Sequence, residues 1–67
     1  MIIQSVLFDK KIYTLSQALK KLMKRGFKYY KVDDHGDYFR FRQSEPIKNK
    51  NYKTIKTGKG IKYIIMY

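Results

Sequence analysis

Apolar residues in this chain follow strand spacing in some segments and helical spacing in another. The run from Ile2 to Phe8 is nearly all apolar, which predicts a strand in the centre of a sheet. Tyr38 to Gln43 alternates between apolar and polar residues, so Phe39 and Phe41 should lie on one side of a strand. Ile61 to Tyr67 also has strand character, and it predicts a final strand whose odd and even positions face opposite ways.

The helical pattern is the clearest one. Apolar residues recur at helical spacing, as one stripe, at Leu15, Ala18, Leu19, Leu22 and Met23. Thr14 is a good N-cap, and Gln17 three residues later completes a capping box. Gly26 is a favourable residue just after a helix C-terminus. The sequence therefore predicts a helix from Leu15 to Arg25.

The remaining segments complete a small sheet. Phe27 to Val32 reads as a strand, and Asp33 to Asp37 reads as a turn in which Gly36 is free to take a positive φ. Pro46 should end the strand before it, because proline cannot donate to a ladder. Tyr52 to Thr57 adds a short edge strand. We expect a single α+β domain over residues 1–67, in which one helix packs on one face of a mainly antiparallel sheet (β-α-β-β-β).

Charge adds the strongest functional indication. Sixteen Lys and Arg residues face five Asp and Glu residues, giving a formal net charge of +11. Such an excess attracts polyanions, so nucleic acid, anionic lipid and acidic protein surfaces are the candidate partners. Thirteen of the cations are lysines, which favours contacts to the phosphate backbone over base reading. A coding genome rich in A and T would also enrich lysine and would explain part of the excess.

One candidate binding surface is the side of the Tyr38 to Gln43 strand that faces away from its phenylalanines. Tyr38, Arg40 and Arg42 would form a stripe there. Aromatic rings stack on bases and guanidinium groups neutralise phosphates, so the stripe suits nucleic acid. The alternative is an ordinary solvated strand face.

The second candidate is a lysine-rich segment near the C-terminus that contains no acidic residue. It runs from Lys48 to Lys59, and its predicted binding residues are Lys48, Lys50, Tyr52, Lys53, Lys56 and Lys59. Lys62, on the final strand, is also a predicted binding residue. Flexible cations interleaved with hydroxyl groups match phosphate contacts, although a solvated mobile loop has the same composition. The glycines around Lys59 lack the spacing of a nucleotide-binding phosphate loop. Lysines on the helix form a weaker third candidate, because the helix dipole already explains them.

Catalytic chemistry finds little support. There is no cysteine, and His35 is the only histidine. The acidic residues around His35 are typical of a tight turn, so we predict no metal, no cofactor and no enzymatic activity. One alternative is a toxin ribonuclease of the HicA type, which the order of helix, Gly26, strand, turn and strand superficially resembles. In that family the histidine follows a turn glycine on the strand, whereas His35 precedes Gly36.

Short motifs spread over almost the whole chain carry a second resemblance. They are Val6-Leu7-Phe8-Asp9-Lys10, Tyr13-Thr14 with Ala18, Gly26-Phe27-Lys28, Lys31-Val32-Asp33, Tyr38-Phe39-Arg40-Phe41-Arg42-Gln43, Pro46, Tyr52-Lys53-Thr54 and Gly58-Lys59-Gly60-Ile61-Lys62. Together they resemble a set of small uncharacterised proteins of tailed phages and large DNA viruses. The resemblance implies a viral setting and no mechanism.

These observations lead to one expected function and one alternative. We expect a small viral protein that binds nucleic acid through Lys and Arg contacts to phosphate, with weak sequence specificity and with DNA ahead of RNA. The alternative is a structural or assembly protein of a virus particle that binds an acidic protein surface. No membrane partner is expected; an open sheet face and edge strands would allow a homodimer. With no cysteine and no visible targeting segment, we expect it in the host cytoplasm or in the virion.

Overall fold

The computed structural model describes residues 2–28, 31–45 and 47–67. Its elements in chain order are β1 (Ile2–Asp9), α1 (Leu15–Lys24), β2 (Lys31–Asp34), β3 (Tyr38–Arg42), β4 (Tyr52–Gly58) and β5 (Ile61–Met66). The strands form one sheet in the order β2-β3-β1-β5-β4, and every neighbouring pair is antiparallel. The predicted class, α+β with a helix on a small antiparallel sheet, is confirmed.

The structure contains one strand more than the element order predicted from the sequence, β-α-β-β-β. The added strand is β4, which was predicted only as a short edge strand and has seven residues. It lies at one edge of the sheet, while the shorter β2 lies at the other. Lys53 and Lys56 are exposed on β4, and lysines on an edge strand disfavour pairing with another chain.

The predicted boundaries of the second strand were wrong. Phe27 and Lys28 precede β2, which instead begins at Lys31 and continues to Asp34. The Phe27 ring packs edge-to-face on Tyr63 with 5.3 Å between ring centroids, so this residue joins the core and not the ladder. Other parts of these predictions, at residues 29 and 30 and at Pro46, lie outside the described residues.

The core lies between α1 and one face of the sheet. β1 is the central strand, as predicted, and Val6 is the register partner of both Phe41 on β3 and Tyr63 on β5. Phe8 is fully buried and contacts Phe41 edge-to-face, with 5.6 Å between ring centroids. The buried core residues are Val6, Phe8, Ala18, Leu22, Phe39, Phe41 and Ile61. The strand residues in this set lie on the face of the sheet that packs against Ala18 and Leu22 of α1, and the other face has no helix.

The helix begins with the predicted capping box. Gln17 N–H donates to Thr14 Oγ1 over 3.2 Å, and Thr14 N–H donates to Gln17 Oε1 over 2.9 Å. Only the middle of the predicted apolar stripe is buried. At its two ends Leu15 and Met23 remain 40% and 64% exposed. α1 is therefore held by its cap and by a narrow contact line.

Replacing Thr14 by alanine should lower the free energy of unfolding by about 0.5–2 kcal/mol, because one orphan donor of the helix loses its partner. Ser16→Ala is the matched control: it lies two residues further along, exposed and inside the helix, and should change stability by less than about 0.5 kcal/mol. Urea denaturation followed by circular dichroism measures both. Equal stability of the two variants would contradict the role of the cap.

The glycine conformations agree with the prediction at Gly26, just after the helix, and differ from it at Gly36. Gly36 does not take the left-handed conformation; Gly26 and Gly60 do, with φ of 86° and 75°. Gly60 lies in the tight connection between β4 and β5, and its carbonyl accepts a hydrogen bond from Asp9 N–H at 2.8 Å. A Cβ at Gly60 would lie 2.7 Å from Ile12 Cδ1. Only glycine fits this turn without strain.

Gly60→Ala should therefore destabilise the fold by about 1–3 kcal/mol, since it adds backbone strain and a steric clash. Gly36→Ala serves as the control, because a Cβ there meets no atom within 4 Å. We expect it to be neutral or to stabilise by up to about 1 kcal/mol. If the two variants melted at the same temperature, the claim that position 60 needs glycine would be contradicted.

Candidate nucleic-acid interface

The face of the sheet without a helix, here called the open face, carries most of the predicted binding residues. The register aligns its side chains across all strands, because side chains alternate along each strand. The open face comprises Lys31, Asp33, Tyr38, Arg40, Arg42, Ser5, Leu7, Asp9, Lys62, Ile64, Met66, Tyr52, Thr54 and Lys56. Two candidate regions that are separate in sequence, the β3 stripe and part of the lysine-rich segment, thus share one surface.

A shallow depression of about 370 Å³, here called the central concavity, lies on the open face. Its lining comes from four neighbouring strands and one turn: Leu7, Asp9, Tyr38, Thr54, Gly60, Lys62 and Ile64. Leu7 and Ile64 lie on the two middle strands, and Tyr38 and Thr54 lie on the strands that flank them. The surface is therefore apolar in the middle and carries aromatic, hydroxyl and charged groups around it.

The two arginines of the β3 stripe are engaged within the protein. Arg40 donates from Nε to Ser5 Oγ at 3.0 Å and from Nη2 to Gln4 Oε1 at 2.9 Å. Ser5 and Gln4 are fully buried and hydrogen-bonded to each other, beside a register shift between β1 and β5. Arg42 forms an ion pair with Asp33, with 2.7 Å between Nε and Oδ2. Arg40 thus stabilises buried polar groups, and the charge of Arg42 is balanced by Asp33.

Tyr38 contacts the turn between β2 and β3. His35 stacks on the tyrosine ring with 4.7 Å between centroids and 30° between ring planes. Tyr38 also lines the central concavity. His35 is exposed and lies in the turn, before the strand begins.

Three of the predicted lysines meet at the end of the β4–β5 hairpin. Lys56 and Lys62 are register partners on the open face, and Lys59 lies in the connecting turn. Together they line a second depression, here called the lysine hollow, with Asp9, Gly58, Gly60 and Ile61. The lysine hollow shares Asp9, Gly60 and Lys62 with the central concavity, so the two depressions adjoin. Like charges directly across a ladder repel each other, so an anion between these lysines would be stabilising.

The other predicted residues lie apart from this cluster. Lys53 is the register partner of Ile65, which places it on the helix side of β4. Lys48 and Lys50 are exposed in the segment before β4. The Tyr52 hydroxyl accepts from Ile47 N–H at 2.8 Å and lies 2.9 Å from the Ile47 carbonyl oxygen, so it anchors that segment.

Acidic residues are confined to part of the molecule. No Asp or Glu lies in α1, β4 or β5. Asp33 and Asp34, on β2, form ion pairs with Arg42 and Lys10. Cations also lie on the helix side, where Arg25 donates to Thr57 Oγ1 and Tyr63 Oη at 3.0 Å each. The positive charge therefore extends around the β4 and β5 half of the molecule and is not restricted to the open face.

Sequence reasoning missed several open-face residues. Lys31 extends the cationic surface to β2, and Leu7, Ile64 and Asp9 line the central concavity. Alternation within β5 already placed Ile64 with Lys62, but nothing in the sequence placed Leu7 beside them, because that pairing depends on which strands are neighbours.

Residues 2–28, 31–45 and 47–67 contain no group of three or more His, Cys, Asp or Glu side chains placed to hold a metal ion. Within the same ranges no helix has the length and apolarity needed to cross a membrane. Comparison with family models, curated proteins and solved structures gave no match.

Proposed function

We propose that this protein binds nucleic acid on the open face of its sheet, with weak sequence specificity and through lysine contacts to phosphate. The observation that carries the proposal is the convergence of Lys56, Lys59 and Lys62 in the lysine hollow, beside a concavity walled by Tyr38. Cations that surround an aromatic and apolar surface are typical of proteins that hold nucleic-acid backbones and bases together.

The electrostatics support a polyanion as the partner. None of the three lysines of the lysine hollow forms an ion pair with a described carboxylate. The protein carries +11 overall, so a polyanion would relieve repulsion both between these lysines and across the whole chain. DNA remains the preferred partner in this proposal, within a viral setting.

Salt dependence tests the proposal. If about six phosphates are engaged, the logarithm of the binding constant should fall with the logarithm of salt concentration with a slope of about −5. Fluorescence anisotropy with labelled oligonucleotides at several salt concentrations measures the slope. Absence of binding to DNA and RNA at low salt and micromolar protein would refute the proposal.

Paired variants test the position of the site. Lys56→Gln with Lys62→Gln removes two charges from the open face, and Lys20→Gln with Lys24→Gln removes two exposed charges from α1. The first pair should make the salt slope shallower by about 1.5, because two phosphate contacts are lost, and the second pair should change it much less. Equal changes would show that only net charge matters. Arg40 is less suitable for this test, since its replacement also unpairs buried Gln4 and Ser5.

A further inference from the structure

We propose that the central concavity holds an unpaired base, so that the preferred ligand is a single strand and not a duplex. This inference rests on the proposed function and specifies its ligand. It follows from a division of chemistry between two adjoining depressions, one apolar and aromatic and the other rich in lysine.

The middle of the central concavity suits a base better than a phosphate. Leu7 and Ile64 contribute half-buried apolar side chains to it. Placing a phosphate on them would remove the anion from water without compensating hydrogen bonds, which is costly. The flat face of a base, by contrast, gains from covering apolar surface. The volume of about 370 Å³ lies at the lower end of the range for small-ligand sites, which is about 300–1,000 Å³.

Asp9 borders both depressions and offers an acceptor for the edge of a base. Its Oδ1 accepts a hydrogen bond from Lys11 N–H at 2.8 Å. A carboxylate can also accept from the amino and imino groups of a base. The imino group of guanine or thymine is bonded to the partner base in a duplex, so a contact from this group to Asp9 needs an unpaired base.

Tyr38 supplies the aromatic surface, and His35 stacks on its ring. The phosphates on either side of the base would then lie toward cations. Lys56 and Lys59 line the adjoining lysine hollow, and Lys62 borders both depressions. A backbone that follows this path places one base in the central concavity and a neighbouring phosphate among the lysines.

Three ligands of equal length test the inference on the unmodified protein: a single-stranded DNA, the same strand with abasic sites throughout, and the corresponding duplex. The abasic strand keeps every phosphate and loses every base. A base in the central concavity should make the intact strand bind at least about fivefold more tightly than the abasic strand, the lower end for loss of one stacked base. It should also bind more tightly than the duplex, although pure phosphate attraction would favour the duplex for its higher charge density.

The outcomes separate the two proposals. Intact and abasic strands that bind equally, or a duplex that binds more tightly, would overturn the inference and leave nucleic-acid binding intact. No binding by any of the three ligands would overturn the proposed function itself. Tyr38→Leu, which keeps bulk and removes the aromatic ring, should bring the ratio between intact and abasic strands toward one. A ratio unaffected by this variant would also contradict a base stacked at Tyr38.

Discussion

Replacing Lys62 by glutamate should weaken nucleic-acid binding by about 10-fold, because the charge changes by two units at a phosphate-contacting position. Lys62 is the position with the largest expected effect, since its side chain borders both the central concavity and the lysine hollow. The fold should tolerate the change. Glutamate would relieve the repulsion with Lys56 across the ladder but would lie near Asp9, so stability should change by less than about 1 kcal/mol.

Lys53→Glu is the matched control for this prediction. It makes the same charge change on the neighbouring strand, but its side chain points to the helix side of the sheet. Anisotropy titrations at one salt concentration should therefore show a much smaller loss for Lys53→Glu than for Lys62→Glu. Urea denaturation of both variants checks that the fold is retained. Equal losses of affinity would place binding outside the open face, although both lysines are predicted binding residues.

Leu22→Ala should destabilise the protein by about 2–5 kcal/mol, because it removes a fully buried side chain and leaves a cavity between α1 and the sheet. A domain of 67 residues has a total stability of roughly 3–10 kcal/mol, so this loss is a large share of the whole. The core has few other contacts from α1, since Ala18 is the only other helix residue buried in the described part of the chain.

The adjacent residue provides the control. Met23 has a helix propensity close to that of leucine but is 64% exposed. Met23→Ala should change the free energy of unfolding by less than about 0.5 kcal/mol. Denaturant titrations followed by far-ultraviolet circular dichroism compare the two variants. A similar midpoint for both would mean that α1 does not pack on the sheet through Leu22.

Local sequence signals predicted the elements that rest on local physics. Thr14 and Gln17 formed the expected capping box, and Phe39 and Phe41 on one side of β3 became core residues. The boundary of the second strand was wrong because of a distant contact: Phe27 packs on Tyr63 and precedes β2. Neighbouring residues do not show this contact, because Tyr63 lies far away in the chain. The left-handed turn glycine is Gly60 and not Gly36.

In the candidate site, too, some features were predicted from the sequence and others only became visible in the structure. The composition already predicted a cationic surface, and alternation already separated Arg40 and Arg42 from the phenylalanines beside them. The sequence could not show that Arg40 would form hydrogen bonds to the buried Gln4 and Ser5, or that Asp33 would pair with Arg42. Because Arg40 and Arg42 are engaged within the protein, the cations best placed to bind a ligand are Lys56, Lys59 and Lys62.

The sequence by itself determined the helix with its cap, the inward and outward sides of the main strands, and the excess of positive charge, because each depends on residue type and on spacing within one segment. Only the tertiary structure decided that β1 lies between β3 and β5. That strand order brings Leu7, Tyr38 and Lys62 to one concavity, since strand pairing joins residues that are distant in the chain. The physical reason is that hydrophobic periodicity specifies which face of a strand is buried, whereas strand order depends on the packing of the whole core.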